Sequence, residues 1–243
     1  MLVTAGNRQQ VITVIPARGG SKGIKKKNIS LLGGKPLLSY SIEYSLRCPL
    51  VNRTIVSTDD LEIADIARKY GAEVPFIRPA EYAQDDTPDY PVYRHALEWL
   101  EQQEHKIYDI FILLRPTSPL RPKGLIEKGL ELLVRNPHAD SVRTVVLCSQ
   151  HPYRMFKIEG DFLSPVLSNG VFEPYNIPRQ KLPSVYFQTG DLEMIRRDTI
   201  LKSNSISGKH IMPLIIKTVD IVDIDSETDL LNASRKFKDG DIR

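Results

Sequence analysis

Short β-branched runs alternate with stretches of helical periodicity along most of this chain, and that alternation limits the fold more than any other feature. Residues 11–17 form an apolar run of strand length, "PLLSYSIEYSL" (36–46) has helical spacing with Pro36 near its first turn, and "RTIVST" (53–58) is a second strand. The three make one βαβ unit. "DLEIADIARKYG" (60–71) follows as a helix with Asp60 placed to cap its start and Gly71 where it should stop. A short strand is expected at "VPFI" (74–77), a helix at 91–103, the most apolar strand at "DIFILLRPTSP" (109–119), a helix at 124–136 and a strand at 140–147. Strands joined through helices pair in parallel and need cover on both sides. The expectation is an α/β fold with a mostly parallel central sheet and helices on both faces.

The pattern lapses between residues 148 and 185, which are rich in Pro and aromatics, with a hairpin-like "FKIEGDFL". This segment reads as an excursion from the sheet. Strand character returns at 185–197 and 211–217, and "SETDLLNASRKF" (226–237) closes as a helix with Ser226 as its N-cap. At 243 residues, the whole span 1–243 is expected to form a single α/β domain with that one excursion.

Two cysteines a hundred residues apart, Cys48 and Cys148, have no CxxC spacing and no histidine cluster nearby. They indicate neither a disulfide framework nor a zinc site, and a reducing, cytoplasmic setting is expected. The longest wholly apolar interior run, residues 110–114, is far too short to cross a bilayer, and the first ten residues have no apolar leader core. A soluble protein is expected.

Charge is unevenly placed. Residues 1–42 hold seven Lys or Arg and no Asp or Glu, whereas the rest of the chain sets 26 basic against 30 acidic residues. Most of the excess lies in "VIPARGGSKGIKKKNI" (14–29), a glycine-bearing loop directly after the first strand. In α/β sheets that place lies at the carboxyl edge, where ligands bind, and backbone N–H groups of such a loop can wrap phosphate oxygens. Six cations between residues 18 and 35 suit a polyanion. GxxxxGK[ST] would require glycine at Ile15 and GxGxxG would require it at Ser21, so neither the Walker loop nor the dinucleotide fingerprint of a dehydrogenase is present. A solvated basic face or a nucleic-acid contact remains the competing reading of the same charge.

"IPARGGSKGIKKKN" followed by "GKPLLSYSIE" resembles the signature of the acylneuraminate cytidylyltransferases, which make CMP-activated sialic acids and related nine-carbon sugars. Further similar stretches follow in the family's order: "RPAEYAQDDTPDYPVYRHAL" (78–97), "LLRPTSPLR" (113–121), "PRQKLPSVYFQTG" (178–190) and "DIVDIDSETDL" (220–230). The resemblance spans nearly the whole chain. It implies a Rossmann-like nucleotidyltransferase fold, CTP as co-substrate, a divalent cation (Mg2+, or another such as Mn2+), and a homodimer in which an extension reaches the partner's active site. Residues 148–185 are the expected extension.

The resemblance also assigns residues. Arg18, Ser21, Lys22 and Lys27 match positions that hold the triphosphate, where a guanidinium fork and ammonium charges are most needed as pyrophosphate leaves. Asn28 and Arg78 match nucleoside contacts, and Thr87 and Asp89 stand where the family touches base and ribose, although Asp89 could equally cap the helix starting near Pro91. Arg179 matches an active-site arginine, read as an electrostatic clamp because an arginine is a poor proton acceptor, and Lys157 is a further candidate cation.

Asp223 and Asp225 are read from their own spacing too. In an extended segment residues two apart project to one side, so Asp-Ile-Asp offers two hard oxygen ligands while Ile224 faces the core. Spacing alone leaves this level with a helix-capping role for Asp225; the resemblance favours metal. His95 is expected to be a packed side chain.

Two departures concern the acceptor. Arg115 replaces the glutamine common before "PTSP" in sialic acid enzymes, and Thr189-Gly190 followed by Asp191 replaces their Asn-Gly. A buried Arg115 would favour a carboxylate or another strongly accepting group. The expected reaction is transfer of CMP from CTP to a nonulosonic acid. Pseudaminic, legionaminic or eight-carbon ulosonic acids are alternative acceptors, and a nucleic-acid-binding module is the alternative from another class.

Overall fold

The computed structural model describes residues 9–168, 170–217 and 221–238. In chain order the elements are β1 (Val11–Pro16), β2 (Leu31–Leu32), β3 (Lys35–Pro36), α1 (Leu37–Leu46), β4 (Arg53–Ser57), α2 (Leu61–Lys69), α3 (Asp89–Gln103), β5 (Ile110–Leu113), α4 (Leu125–Arg135), β6 (Ser141–Leu147), β7 (Phe156–Glu159), β8 (Phe162–Pro165), β9 (Tyr186–Arg196), α5 (Arg197–Lys202), β10 (Ile211–Ile215) and α6 (Glu227–Lys238).

Six strands form the central sheet in the order β10-β6-β9-β5-β1-β4. β1 runs parallel to both β4 and β5, and β10 parallel to β6, whereas β9 is antiparallel to its two neighbours. Period-2 alternation divides the core. Val11 and Ile15 of β1 pack on one face with Leu38 and Ile42 of α1, Ile63 of α2 and Leu130 of α4. Ile12 and Val14 pack on the other with Tyr93, Leu97 and Leu100 of α3 and Ile200 of α5. The chain therefore leaves β1 over one face and returns to β5 over the opposite one, which opens a crevice beyond the carboxyl end of β1.

Local chemistry explains several boundaries. Asp60 caps α2 by accepting the Ile63 N–H at 3.0 Å, and Gly71 takes φ +93°, a left-handed conformation that suits glycine just past a helix. Ser226 and Asp229 cap α6 reciprocally: Ser226 Oγ accepts from Asp229 N at 3.2 Å while Asp229 Oδ2 accepts from Ser226 N at 2.9 Å.

Three expectations are corrected. "VPFI" is not a strand: Glu73 makes a single bridge to Ile55, and Phe76 instead packs edge-on to His95 with ring centroids 4.7 Å apart. The strand expected over 109–119 stops at Leu113, because residues 115–118 turn, with Ser118 N donating to the Arg115 carbonyl. Helix α3 starts at Asp89 rather than near Pro91, so Asp89 lies in the first turn instead of capping it. Within the excursion, β7 and β8 form the expected hairpin, a two-stranded sheet of their own.

Candidate active site

The loop after β1 is fixed at both ends and in the middle. Ala17 N donates to the Ser57 carbonyl at 3.0 Å, Gly19 N to Asp59 Oδ1 at 3.0 Å, and the buried Asn28 reaches back to the Arg18 carbonyl at 2.9 Å. Ile24 plugs the loop into a small apolar cluster with Leu32, Leu37, Ile224 and Ala233. Lys26 adopts φ +54°, which turns the chain into a short 3-10 helix at Lys27–Ile29. The loop's polar groups are thereby held against a cleft of about 390 Å³ at the β1 carboxyl end.

Ten sequence-predicted residues line that cleft: Arg18, Ser21, Lys22, Lys27, Asn28, Arg78, Thr87, Asp89, Arg115 and Asp225. The cationic loop and the acidic tail meet there, since Lys27 Nζ bonds Asp225 Oδ1 at 2.8 Å across 198 residues of sequence. The segment carrying Asp225 is pinned by Ile224, whose side chain is buried and whose N–H donates to the Thr117 carbonyl at 2.9 Å.

Asp223 is not among the lining residues. Desolvation, then the adjacent Asp225, raise its carboxyl above the ordinary range, against an opposing hydrogen bond from Thr117. Two neighbouring carboxylates that resist ionising together attract a cation. No group of three or more His, Cys, Asp or Glu poised for a metal occurs among the described residues. Two aspartates, completed by substrate oxygens and water, are nevertheless the donor set magnesium commonly uses, so the residues present fit a hard divalent cation.

Arg78 is only 4% exposed and faces the cleft, its Nε without a hydrogen-bond partner and its Nη2 3.8 Å from Asp59 Oδ1. Burial lowers its pKa, opposed first by Asp59. A guanidinium so placed is suited to an accepting group on a ligand. Arg115 is engaged by two acids: its Nη2 contacts Asp89 Oδ2 at 2.6 Å and Glu193 Oε1 at 2.9 Å. Burial opposes its charge, but the Asp89 hydrogen bonds and then the fields of Asp89 and Glu193 raise its pKa.

Arg179 and Lys157 do not line the cleft. Arg179 is exposed in a short 3-10 turn of the excursion, and Lys157 pairs with Glu159 at 2.5 Å on β7. Sequence reasoning missed Asp85, which bonds both Arg18 Nη1 and Lys22 Nζ at 2.6 Å, although it lies within the quoted 78–97 stretch. It also missed Arg121, buried and with its pKa lowered to about 10 by desolvation. Arg121 donates to the carbonyls of Arg115 and Asp191 at 2.6 and 2.5 Å and so ties the 115–118 turn to β9. His95 packs as expected, between Phe76 and the cleft-lining Tyr82.

The architecture is a nucleotidyltransferase fold: it matches that of a solved CMP:2-keto-3-deoxy-manno-octonic acid synthetase in complex with CTP, with TM-score 0.71 and 16% identity over 96% of this chain and 100% of that one. The model of the Cytidylyltransferase family matches residues 12–154, and the chain belongs to that family. Among curated relatives it is 34% identical over 220 residues to the post-translational flagellin modification protein B of Campylobacter coli, covering 90% of this chain and 92% of the relative. It is 32% identical over 223 residues to the CMP-N,N'-diacetyllegionaminic acid synthase of Legionella pneumophila, covering 90% and 93%. The chain is a cytidylyltransferase, and no described helix is long and apolar enough to cross a membrane.

Proposed function

We propose that this enzyme transfers the CMP moiety of CTP to the anomeric hydroxyl of a nonulosonic sugar acid and releases pyrophosphate. The observation that carries the reading is the Lys27–Asp225 contact, which joins the cationic loop to the acidic tail in one cleft. The legionaminic acid product named for the Legionella relative supports a nine-carbon acceptor.

Arg18, Ser21, Lys22 and Lys27 hold the triphosphate, Asn28 and Arg78 fix the nucleoside, and Thr87 and Asp89 face base and ribose. Arg115 stands at the acceptor edge. Asp223 and Asp225 would hold Mg2+ or Mn2+, which when bound supplies charge neutralisation and alignment of the phosphates. The chain's own contribution is orientation: the attacking hydroxyl is set in line with the departing pyrophosphate, whose growing charge Arg18, Lys22 and Lys27 already face.

We read residues 1–243 as one cytoplasmic cytidylyltransferase domain that works as a homodimer. The excursion supports the dimer, because Ile158, Phe162 and Phe172 are 77, 79 and 88% exposed there and apolar patches of that kind mark interfaces. In the dimer Arg179, with Lys157, would enter the partner's cleft.

The test is pyrophosphate release with each of the four nucleoside triphosphates against a panel of nine- and eight-carbon sugar acids. Release is expected only with CTP and a nine-carbon acid. Inertness toward every sugar acid refutes the reading, and activity confined to eight-carbon acids moves it to another ulosonic class. Asp225→Ala should abolish release with an unchanged circular dichroism spectrum.

A further inference from the structure

Glu193 sits in the middle of β9, opposite Leu113 of β5 and Arg143 of β6, and is 1% exposed. A carboxylate is rarely left in the centre of a sheet unless it is paired. Here each oxygen meets a different guanidinium: Oε1 accepts from Arg115 Nη2 at 2.9 Å, and Oε2 lies 2.8 Å from Arg143 Nη2 as an ion pair without hydrogen-bond geometry. Arg143 is braced in turn by Gln188 and by Ser207 Oγ, the latter at 2.6 Å.

The consequence falls on Arg115. Its Nη2 commits both hydrogens, one to Glu193 and one to Asp89, and its Nη1 commits one to Asp89 Oδ1 at 3.3 Å. What remains is the Nε–H and one Nη1–H, which point in different directions. They can make single hydrogen bonds, but not the two-pronged grip by which arginine binds a carboxylate. The group is also charge-balanced, with Arg115 and Arg143 against Asp89 and Glu193. Gly190 of β9 gives this arrangement room: a Cβ there would lie 2.8 Å from Ser118 Oγ and 3.3 Å from Arg115 Cδ, so a side chain would press on the arginine stem and displace the serine hydroxyl.

We propose that Glu193 is a positioning residue that holds the Arg115 guanidinium on Asp89 and neutralises it, so that the acceptor edge of the cleft recognises a neutral oxygen, a hydroxyl or an N-acyl carbonyl, rather than a carboxylate. Of the two groups expected for Arg115, a carboxylate or another strongly accepting group, this selects the second. The identity of the acceptor rests on the function proposed above; the hold on Arg115 does not.

The experiment uses Glu193→Gln, Glu193→Asp and, should the first fold poorly, Arg143→Gln, which loosens Glu193 from its less buried side. Glu193→Gln is expected to raise KM for the sugar acid at least tenfold, and at least fivefold more than it raises KM for CTP; Glu193→Asp recovers part of the loss, and Arg143→Gln gives a smaller shift of the same kind. Equal changes in both KM values, or an unchanged sugar-acid KM in Glu193→Gln and Arg143→Gln alike, overturn the proposal. Side-chain nitrogen NMR decides the positioning role without turnover. The Arg115 guanidinium, assigned through Arg115→Lys, should give slowly exchanging Nη signals in the native protein and in Glu193→Asp, and lose them in Glu193→Gln. Retained signals in Glu193→Gln refute the hold even where no sugar acid is a substrate, an outcome that would by itself refute only the proposed function.

Discussion

Gly23 offers the most direct test of whether the cationic loop and the acidic tail must touch. Its backbone does not adopt a positive φ, so the only demand for glycine is space. An added Cβ would lie closer than 3.0 Å to the backbone carbonyl oxygen of Asp225, a separation real Cβ atoms do not show, and backbone cannot swing away as a side chain can. Gly23→Ala must therefore push the two segments apart. Forcing one methyl into a tight contact costs about 1–3 kcal/mol, which for a domain of this size lowers the melting temperature by roughly 2–12 °C. The same displacement, on the order of 1 Å, is the scale on which misplacing reacting groups lowers turnover about 10²-fold. Gly20→Ala is the control, since nothing lies within 4 Å of its added Cβ and it too lacks a positive φ. Thermal melting and CTP-dependent pyrophosphate release, measured on both variants, decide the matter. Native kcat/KM in Gly23→Ala, or equal losses in the two variants, would refute the claim that close approach of residues 23 and 225 is required.

Ile224→Ala removes a fully buried side chain between the two aspartates and should cost about 2–5 kcal/mol in a denaturant titration; a loss under 1 kcal/mol would show that the segment is not anchored there. Asp85→Asn frees Arg18 and Lys22 from the carboxylate that engages both, so CTP should bind several-fold more tightly by calorimetry, and weaker binding would make Asp85 a ligand contact instead of a competitor. Burial, then Arg78, lowers the pKa of His95 below its ordinary 6.5. The unfolded chain then binds the proton better, so stability falls as pH drops below about 6.5 toward the folded value. His95→Phe, which keeps the ring contacts, should flatten the denaturation midpoint between pH 7 and 5; an unaltered pH profile refutes that origin.

What could be read from sequence and what could not differ in the range of the interactions involved. The Asp60 cap, the Gly71 stop and the apolar run of β1 are set by residues within a few positions of each other, and all are found as expected. The cleft-lining positions came from the family resemblance, with Asp-Ile-Asp adding a local signal that the burial of Ile224 supports. "VPFI" failed as a strand although its composition suits one, because Phe76 gains more by packing on α3 beside His95 and Trp99. Glu193 was invisible for a different reason. Its partner Arg115 is 78 residues away, and only the register that sets Glu193 opposite Leu113 brings it beneath the turn carrying that arginine.

The same distinction changes the meaning of five of the seven basic residues in the first 42. In sequence they form an uninterrupted positive stretch, the footprint expected for a nucleic-acid surface. In the fold, Arg18 and Lys22 face Asp85, Lys26 faces Glu62, Lys27 faces Asp225 and Lys35 faces Glu43. Every one of those acids comes from the part of the chain whose net charge is negative. A ligand held by this loop must therefore exchange with carboxylates, and an extended, singly spaced backbone would gain little by doing so. A triphosphate concentrates its charge within the cleft and can replace Asp85 and Asp225 together. On this argument the local neutralisation favours a small, densely charged ligand over a nucleic acid. It also explains why raising ionic strength should weaken CTP binding only modestly: each cation released by salt from the phosphate is also released from the carboxylate it would otherwise rejoin.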